Sequence, residues 1–142
     1  MMQSIHQGII GCDRAKLRAL KFNRFDIGNL FRGFAAIQGS AGSALDPRVT
    51  SKGCAYLPKH CADAFSNSDL GNLLSKRALR TVLLAGVYAN GCVKATARGA
   101  IRQGYRVVIL EDCVASRSDR SSKRALDAMR ADGALISPTL LI

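Results

Sequence analysis

Tryptophan is absent from these 142 residues, aromatic side chains make up 6% and proline occurs three times. So little proline excludes a polyproline or collagen-like chain, and there is no interleaving of basic and aromatic residues on which bases would stack. No apolar run approaches the roughly 18 residues of a membrane span, and no stretch near the start has the form of a secretion signal. Histidine is nearly missing, with only His6 and His60, too few for an Asp/His metal cluster. Cys54, His60 and Cys61 match no common zinc-ligand spacing and read more simply as structural thiols and a surface histidine. Neither a metal nor any other cofactor is therefore expected.

Acidic residues are scarce as well, 10 against 21 Lys and Arg, which leaves a formal net charge of +11. Such an excess admits a phosphate-tracking surface, but the basic residues are spread over both halves of the chain rather than gathered into an arm. A solvated basic face is the simpler reading, with no nucleic acid and no membrane as partner. The five cysteines, Cys12, Cys54, Cys61, Cys92 and Cys113, are odd in number and irregular in spacing. They suggest a reduced, cytoplasmic compartment rather than a disulfide framework. The basic start resembles an organellar transit peptide in part, although Asp13 and Asp26 speak against one.

What the chain does have is a hydrophobic content of 48% and 13 glycines, enough for a single domain with a real core. From residue 55 onward, short apolar runs alternate with amphipathic stretches, the pattern of βαβ units on a parallel sheet. Ala55-Tyr56-Leu57 is the first run, closed by Pro58. Ser68 or Asp69 then caps a helix with Leu70, Leu73 and Leu74 on one face and Lys76 and Arg77 in its last turn. Thr81 to Ala85 reads as a buried strand ending at Gly86. A helix from about Gly91 to Gln103 follows, with Val93, Ala97, Ala100 and Ile101 at helical spacing and Gly104 as its stop. Arg106 to Leu110 is the next strand, with Glu111-Asp112 at its carboxyl end. A last helix starts at Ser121 or Ser122, buries Ala125, Leu126 and Met129, and stops at Gly133 before the strand Ala134-Leu135-Ile136.

The amino-terminal part is less patterned. Ile9-Ile10 reads as a short strand end, or Asp13 caps a helix over Arg14 to Lys21. Gln38 to Ser43 is a small-residue connector leading to a turn at Leu45-Asp46-Pro47. The chain thus divides into a divergent segment, 1–37, and a patterned domain, 38–142.

Cys92 follows Gly91 where a strand gives way to the first turn of an amphipathic helix. Unpaired N–H groups and the positive end of the dipole stabilise a thiolate there, and the same groups can receive the oxygen of a tetrahedral intermediate. A small buried residue is the competing reading.

The run Gly86-Val87-Tyr88-Ala89-Asn90-Gly91-Cys92-Val93-Lys94-Ala95-Thr96-Ala97-Arg98-Gly99-Ala100, followed by Gly104-Tyr105-Arg106-Val107 and Glu111-Asp112, resembles the nucleophile region of the isochorismatase-like cysteine hydrolases. Upstream, Lys59 followed by Ala64-Phe65 and Asp69-Leu70 is similar to that family's lysine strand, and Gln38 to Pro47 to its connector. The resemblance covers about Gln38 to Ile136. It implies a three-layer α/β/α fold with a mostly parallel sheet of Rossmann-like topology.

It further implies a Cys, Lys and Asp triad. Cys92 would be the nucleophile and Lys59 its cationic partner, the two side by side at the carboxyl ends of adjacent parallel strands. A cis peptide would fall at Val87–Tyr88, and the backbone N–H groups of Tyr88 and Cys92 would form the oxyanion hole. Tyr88 is bulkier than the small residue expected there. Isochorismatases proper cleave a vinyl ether and lack the nucleophilic cysteine, so Cys92 places the chain in the cysteine-hydrolase branch, acting on a small-molecule amide.

The departure is the aspartate. Family members open with an apolar strand ending in Asp, commonly with Gln one residue further on, and this chain shows a shortened amino-terminal part instead. Asp13 after Ile9-Ile10 is the candidate base, with Arg14 and Ala15 in place of the expected neighbours, and is otherwise a helix cap. The stretch from Asp13 to Gln38 is shorter than the ~30 residues of a βαβ unit. Poor hydrolysis by this chain is the corresponding expectation, and a catalytically inactive homologue with a binding or structural role is the alternative. A shortened sheet would also expose an edge that a second copy could cover, which admits a homo-oligomer.

Overall fold

The computed structural model describes residues 6–10, 55–59 and 61–139. Strands β1 (His6–Ile10) and β2 (Ala55–Lys59) form a two-stranded antiparallel sheet, with His6 opposite Lys59 and Ile10 opposite Ala55. A short 3-10 turn (Ala64–Ser66) and helix α1 (Ser68–Lys76) lead into β3 (Thr81–Val87). A wide turn (Ala89–Val93) continues into α2 (Lys94–Arg102), followed by β4 (Arg106–Ala115), α3 (Asp119–Ala131) and β5 (Leu135–Ser137). Strands β3, β4 and β5 make one parallel sheet in that order. This is the expected α/β architecture, because each crossover from one parallel strand to the next runs through a helix.

The core follows from the helical periodicity. Val93, Ala97 and Ala100 of the turn and α2 meet Val107 and Ile109 of β4, Ala125 and Met129 of α3, and Ala134. Small residues on α2 let that helix lie close to the sheet, and Met129 and Ile109, with no exposed surface, fill the space between. Burying a side chain of that size stabilises a fold by about 1.5–3 kcal/mol. Gly104 (φ +81°) and Gly133 (φ +101°) stop α2 and α3 in the left-handed conformation.

Several elements differ from the sequence reading. Strand β2 runs on through Pro58 to Lys59 and pairs antiparallel with β1, where a strand of the parallel sheet was expected. Among the described residues it pairs with no other strand, and an edge position tolerates the N–H that proline lacks. Strand β3 is only partly covered, with Leu83 at 38% exposure, because its one described neighbour is β4.

Strand β4 extends past Glu111-Asp112 to Ala115. The two acids occupy an irregularity in the ladder: Leu84 pairs with Ile109, but Gly86 pairs with Val114. A charged pair within a bulge, with apolar residues resuming beyond it, mimics a strand end. Helix α1 is capped by Asn67, whose side chain accepts from the Asp69 N–H, one residue before the expected cap. Helix α3 begins at Asp119 with Ser118 as its cap, because Ser118 precedes Ser121 and Ser122 and already satisfies the first turn. The final strand is Leu135–Ser137, with Leu135 62% exposed on its outer face.

The Ile9-Ile10 strand reading lies within β1. Asp13 and the helix expected over Arg14 to Lys21 lie outside the described residues. No helix among the described residues is long and apolar enough to cross a membrane.

Candidate functional site

Strand β3 ends at Val87, and the Val87–Tyr88 peptide bond is cis. The chain then turns widely. The Tyr88 carbonyl accepts from both Gly91 N–H (3.0 Å) and Val93 N–H (3.2 Å), the second bond spanning five residues, as in the π-turns that recur at functional sites. Cys92 sits inside this turn as a half-buried free thiol. Ala89 and Val93 on either side are buried, so the turn is seated in the core while Cys92 keeps some access to solvent.

A polar clamp holds the outer side of the turn. Ser116, only 5% exposed at the end of β4, donates from Oγ to Asn90 Oδ1 at 3.0 Å and accepts from the Asn90 N–H at 3.3 Å. The Tyr88 ring lies 6.0 Å from the Arg117 guanidinium, a cation–π contact.

Lys59 ends β2 and is 5% exposed. Its Nζ donates to the Cys61 and Ala62 carbonyls, both at 2.9 Å, and is near enough to the Cys92 side chain for the two to interact electrostatically. Burial pushes the pKa of this ammonium below the ordinary lysine value, while the thiol of Cys92, then Asp63 and Cys61, oppose that fall. The two residues thus meet although their strands do not pair, which corrects the expectation of adjacent parallel strands. The lysine reaches Cys92 from the separate two-stranded sheet of β1 and β2.

The segment after Lys59 is tied to α2. Thr96 Oγ1 accepts from Ala64 N–H at 3.0 Å and donates to the Ala62 carbonyl at 3.4 Å. Asp63 caps the 3-10 turn through Phe65 N–H at 2.9 Å and pairs with Arg102 at 3.0 Å. Its carboxylate lies so close over Gly99 that a Cβ there would collide with it. Phe65 packs on Tyr105 with ring centroids 5.5 Å apart.

Two acids near these elements have structural engagements. Asp63 is held as just described, and Asp112 Oδ1 accepts from the Thr139 N–H at 3.0 Å and hydroxyl at 2.7 Å. Among the described residues, no three His, Cys, Asp or Glu side chains are grouped to hold a metal. The basic residues of α2 are partly matched, Arg98 by Asp132 at 2.7 Å and Arg102 by Asp63.

Thr96 and Asn90 stand in the sequence only as members of the nucleophile-region run, with no role assigned, and Ser116 stands outside it. A signal existed for Thr96: it falls on the apolar stripe of α2, where a buried hydroxyl has to find a partner. Nothing comparable marks Ser116 or Asn90.

The chain is similar in sequence and fold to several known hydrolases. The maleamate amidohydrolase of Pseudomonas putida is 38% identical over 61 residues, which is 43% of this chain and 29% of that protein. An isochorismatase-like hydrolase from Alkaliphilus metalliredigens superposes with a TM-score of 0.65 at 26% identity, covering 75% of this chain and 59% of the other. The pyrazinamidase/nicotinamidase of Streptococcus mutans does so with a TM-score of 0.54 at 36% identity, covering 56% and 44%. The chain therefore spans less than two thirds of each of these relatives. The isochorismatase domain family matches residues 16–139, starting within the segment set apart as 1–37. This chain belongs to the isochorismatase family.

Proposed function

We propose that this protein is a cysteine hydrolase that cleaves the C–N bond of a small amide through a thioester on Cys92. The observation that carries the reading is the Lys59 ammonium against the Cys92 side chain at the start of a helix. The nucleophile in such chemistry is the thiolate, and Lys59 sets a cation beside Cys92. The thiolate attacks the amide carbonyl, and the backbone N–H groups of Tyr88 and Cys92 receive the developing oxyanion. The tetrahedral intermediate collapses with loss of ammonia or an amine, and water then hydrolyses the thioester. Asp13 serves as proton acceptor in this reading, and no cofactor is needed. The activities of similar proteins, a maleamate amidohydrolase and a pyrazinamidase/nicotinamidase, support the C–N class.

Ammonia release from maleamate, nicotinamide and other small primary amides is the direct test. Turnover abolished by Cys92→Ala, and reduced comparably by Asp13→Asn, supports the triad, since members of a catalytic unit fail together. Proton-transfer help of this kind contributes about 10²–10⁴-fold, so a chain without it turns over poorly. The second reading is a non-catalytic homologue with a binding or structural role. The structural engagements of Asp63 and Asp112 favour it, because neither is poised as a base. No ammonia from any amide, with Cys92 still the most reactive thiol, would select that reading.

A further inference from the structure

We propose that Thr96 is a positioning residue that holds the Lys59 ammonium against Cys92; this rests on the reading of Cys92 as the nucleophile. Thr96 lies one helical turn after Cys92 and is 8% exposed, between Val93 and Ala100 on the buried face of α2. A hydroxyl in such a place costs stability unless it is hydrogen-bonded. Both of its bonds go to the segment that follows the lysine, not to its own helix: it accepts from Ala64 N–H at 3.0 Å and donates to the Ala62 carbonyl at 3.4 Å. That same Ala62 carbonyl accepts from Lys59 Nζ at 2.9 Å. A continuous path therefore runs from the ammonium through Ala62 to Thr96, and from Thr96 along one turn of helix to the thiol.

The fold gives this path its importance. Strand β2 pairs with β1 and, among the described residues, with no strand of the parallel sheet, so no ladder fixes Lys59 relative to β3. The other ties between the lysine segment and the rest include an ion pair whose arginine side chain is 68% exposed and the packing of Phe65 on Tyr105 and the apolar core, which has little directionality. Exposed ion pairs hold geometry weakly. Thr96 supplies the buried, directional bonds. Valine has nearly the volume of threonine and none of its bonding, so Thr96→Val would leave Ala64 N–H without its partner and the Ala62 carbonyl with Lys59 Nζ but no tie to α2, and let the lysine segment lift from that helix.

The test uses the whole chain and two chemical readouts. Acetylation of Lys59 is followed by peptide mapping as a function of pH, with the exposed Lys76 and Lys123 as internal references, and Cys92 is alkylated at neutral pH. In the native chain the Lys59 profile should lie at lower pH than the references, because burial disfavours its charge. Thr96→Val should move it up to theirs and slow Cys92 alkylation several-fold, and Thr96→Ser should restore both.

A folded Thr96→Val with both readouts unchanged, or a Thr96→Ser that behaves like the valine variant, would overturn the proposal. If Thr96→Val does not fold, hydrogen exchange on the native chain decides instead. An Ala64 amide protected like those of α2 supports the proposal, and one exchanging at the rate of an open loop refutes it. Should another thiol prove the reactive one, the nucleophile reading falls while the Lys59 profile still judges Thr96.

Discussion

Cys92 and Lys59 meet, but their supports differ in kind. The turn carrying Cys92 grows out of an apolar cluster in which Ala89, Val93, Ala97, Ile109 and Met129 are buried. The segment after Lys59 has no buried side chain in its 3-10 turn, and its links to α2 include the Thr96 hydroxyl, the Asp63 cap and the Asp63–Arg102 pair. Apolar burial holds one half, and directional polar contacts hold much of the other. The first resists a change in any one contact because it is summed over many atoms. The second is sensitive to single atoms, and damage to it should disarm the site without unfolding the protein.

The largest expected effect comes from the cysteine side. Met129→Ala removes a side chain with no exposed surface and should cost about 2–5 kcal/mol in denaturant unfolding. Cys92 should react as before wherever the variant remains folded. Ser116→Ala leaves the Asn90 N–H and side chain without their partner and should cost about 1–3 kcal/mol. It loosens the turn, so Cys92 alkylation should slow in step with stability.

Gly99→Ala should separate stability from thiol reactivity. The added Cβ displaces the Asp63 carboxylate, undoing a cap that is typically worth ~1 kcal/mol. Alanine returns up to about 1 kcal/mol of helix propensity over glycine. Melting should therefore hardly change while Cys92 reactivity drops; equal losses in both would mean that the two halves are not separable.

The smallest effect is linked to pH. Because burial lowers the folded-state pKa of Lys59 below its unfolded value, the charged lysine opposes folding below that folded pKa. The opposition is relieved as pH rises through the folded pKa toward the ordinary lysine value. Stability of the native chain relative to Lys59→Met should accordingly increase with pH over that window. A difference that is flat or falls with pH would contradict the burial.

This division also explains what the sequence made legible. Periodicity reveals apolar faces, so the α2 stripe, Met129 in α3 and the glycine stops at Gly104 and Gly133 could be placed from residue types alone. The resemblance added Cys92 and Lys59 as neighbours. Hydrogen-bond clamps leave almost no periodic trace: Ser116 and Asn90 are unremarkable in the chain, and Thr96 is marked only as a polar residue on an apolar face. The pairing of β2 was missed because a short apolar run fits either sheet, and its partner His6–Ile10 lies far back in the chain. The acids Glu111-Asp112 looked like a strand end because a bulge and a terminus both release side chains to solvent.

Whether Lys59 makes Cys92 the reactive thiol can be read from substoichiometric iodoacetamide labelling at neutral pH, with peptide mapping of the native chain and of Lys59→Met. Cys92 should be labelled ahead of Cys12, Cys54, Cys61 and Cys113 in the native chain and lose that lead in the variant. First labelling of any other cysteine, or an undiminished lead for Cys92 without Lys59, would contradict it.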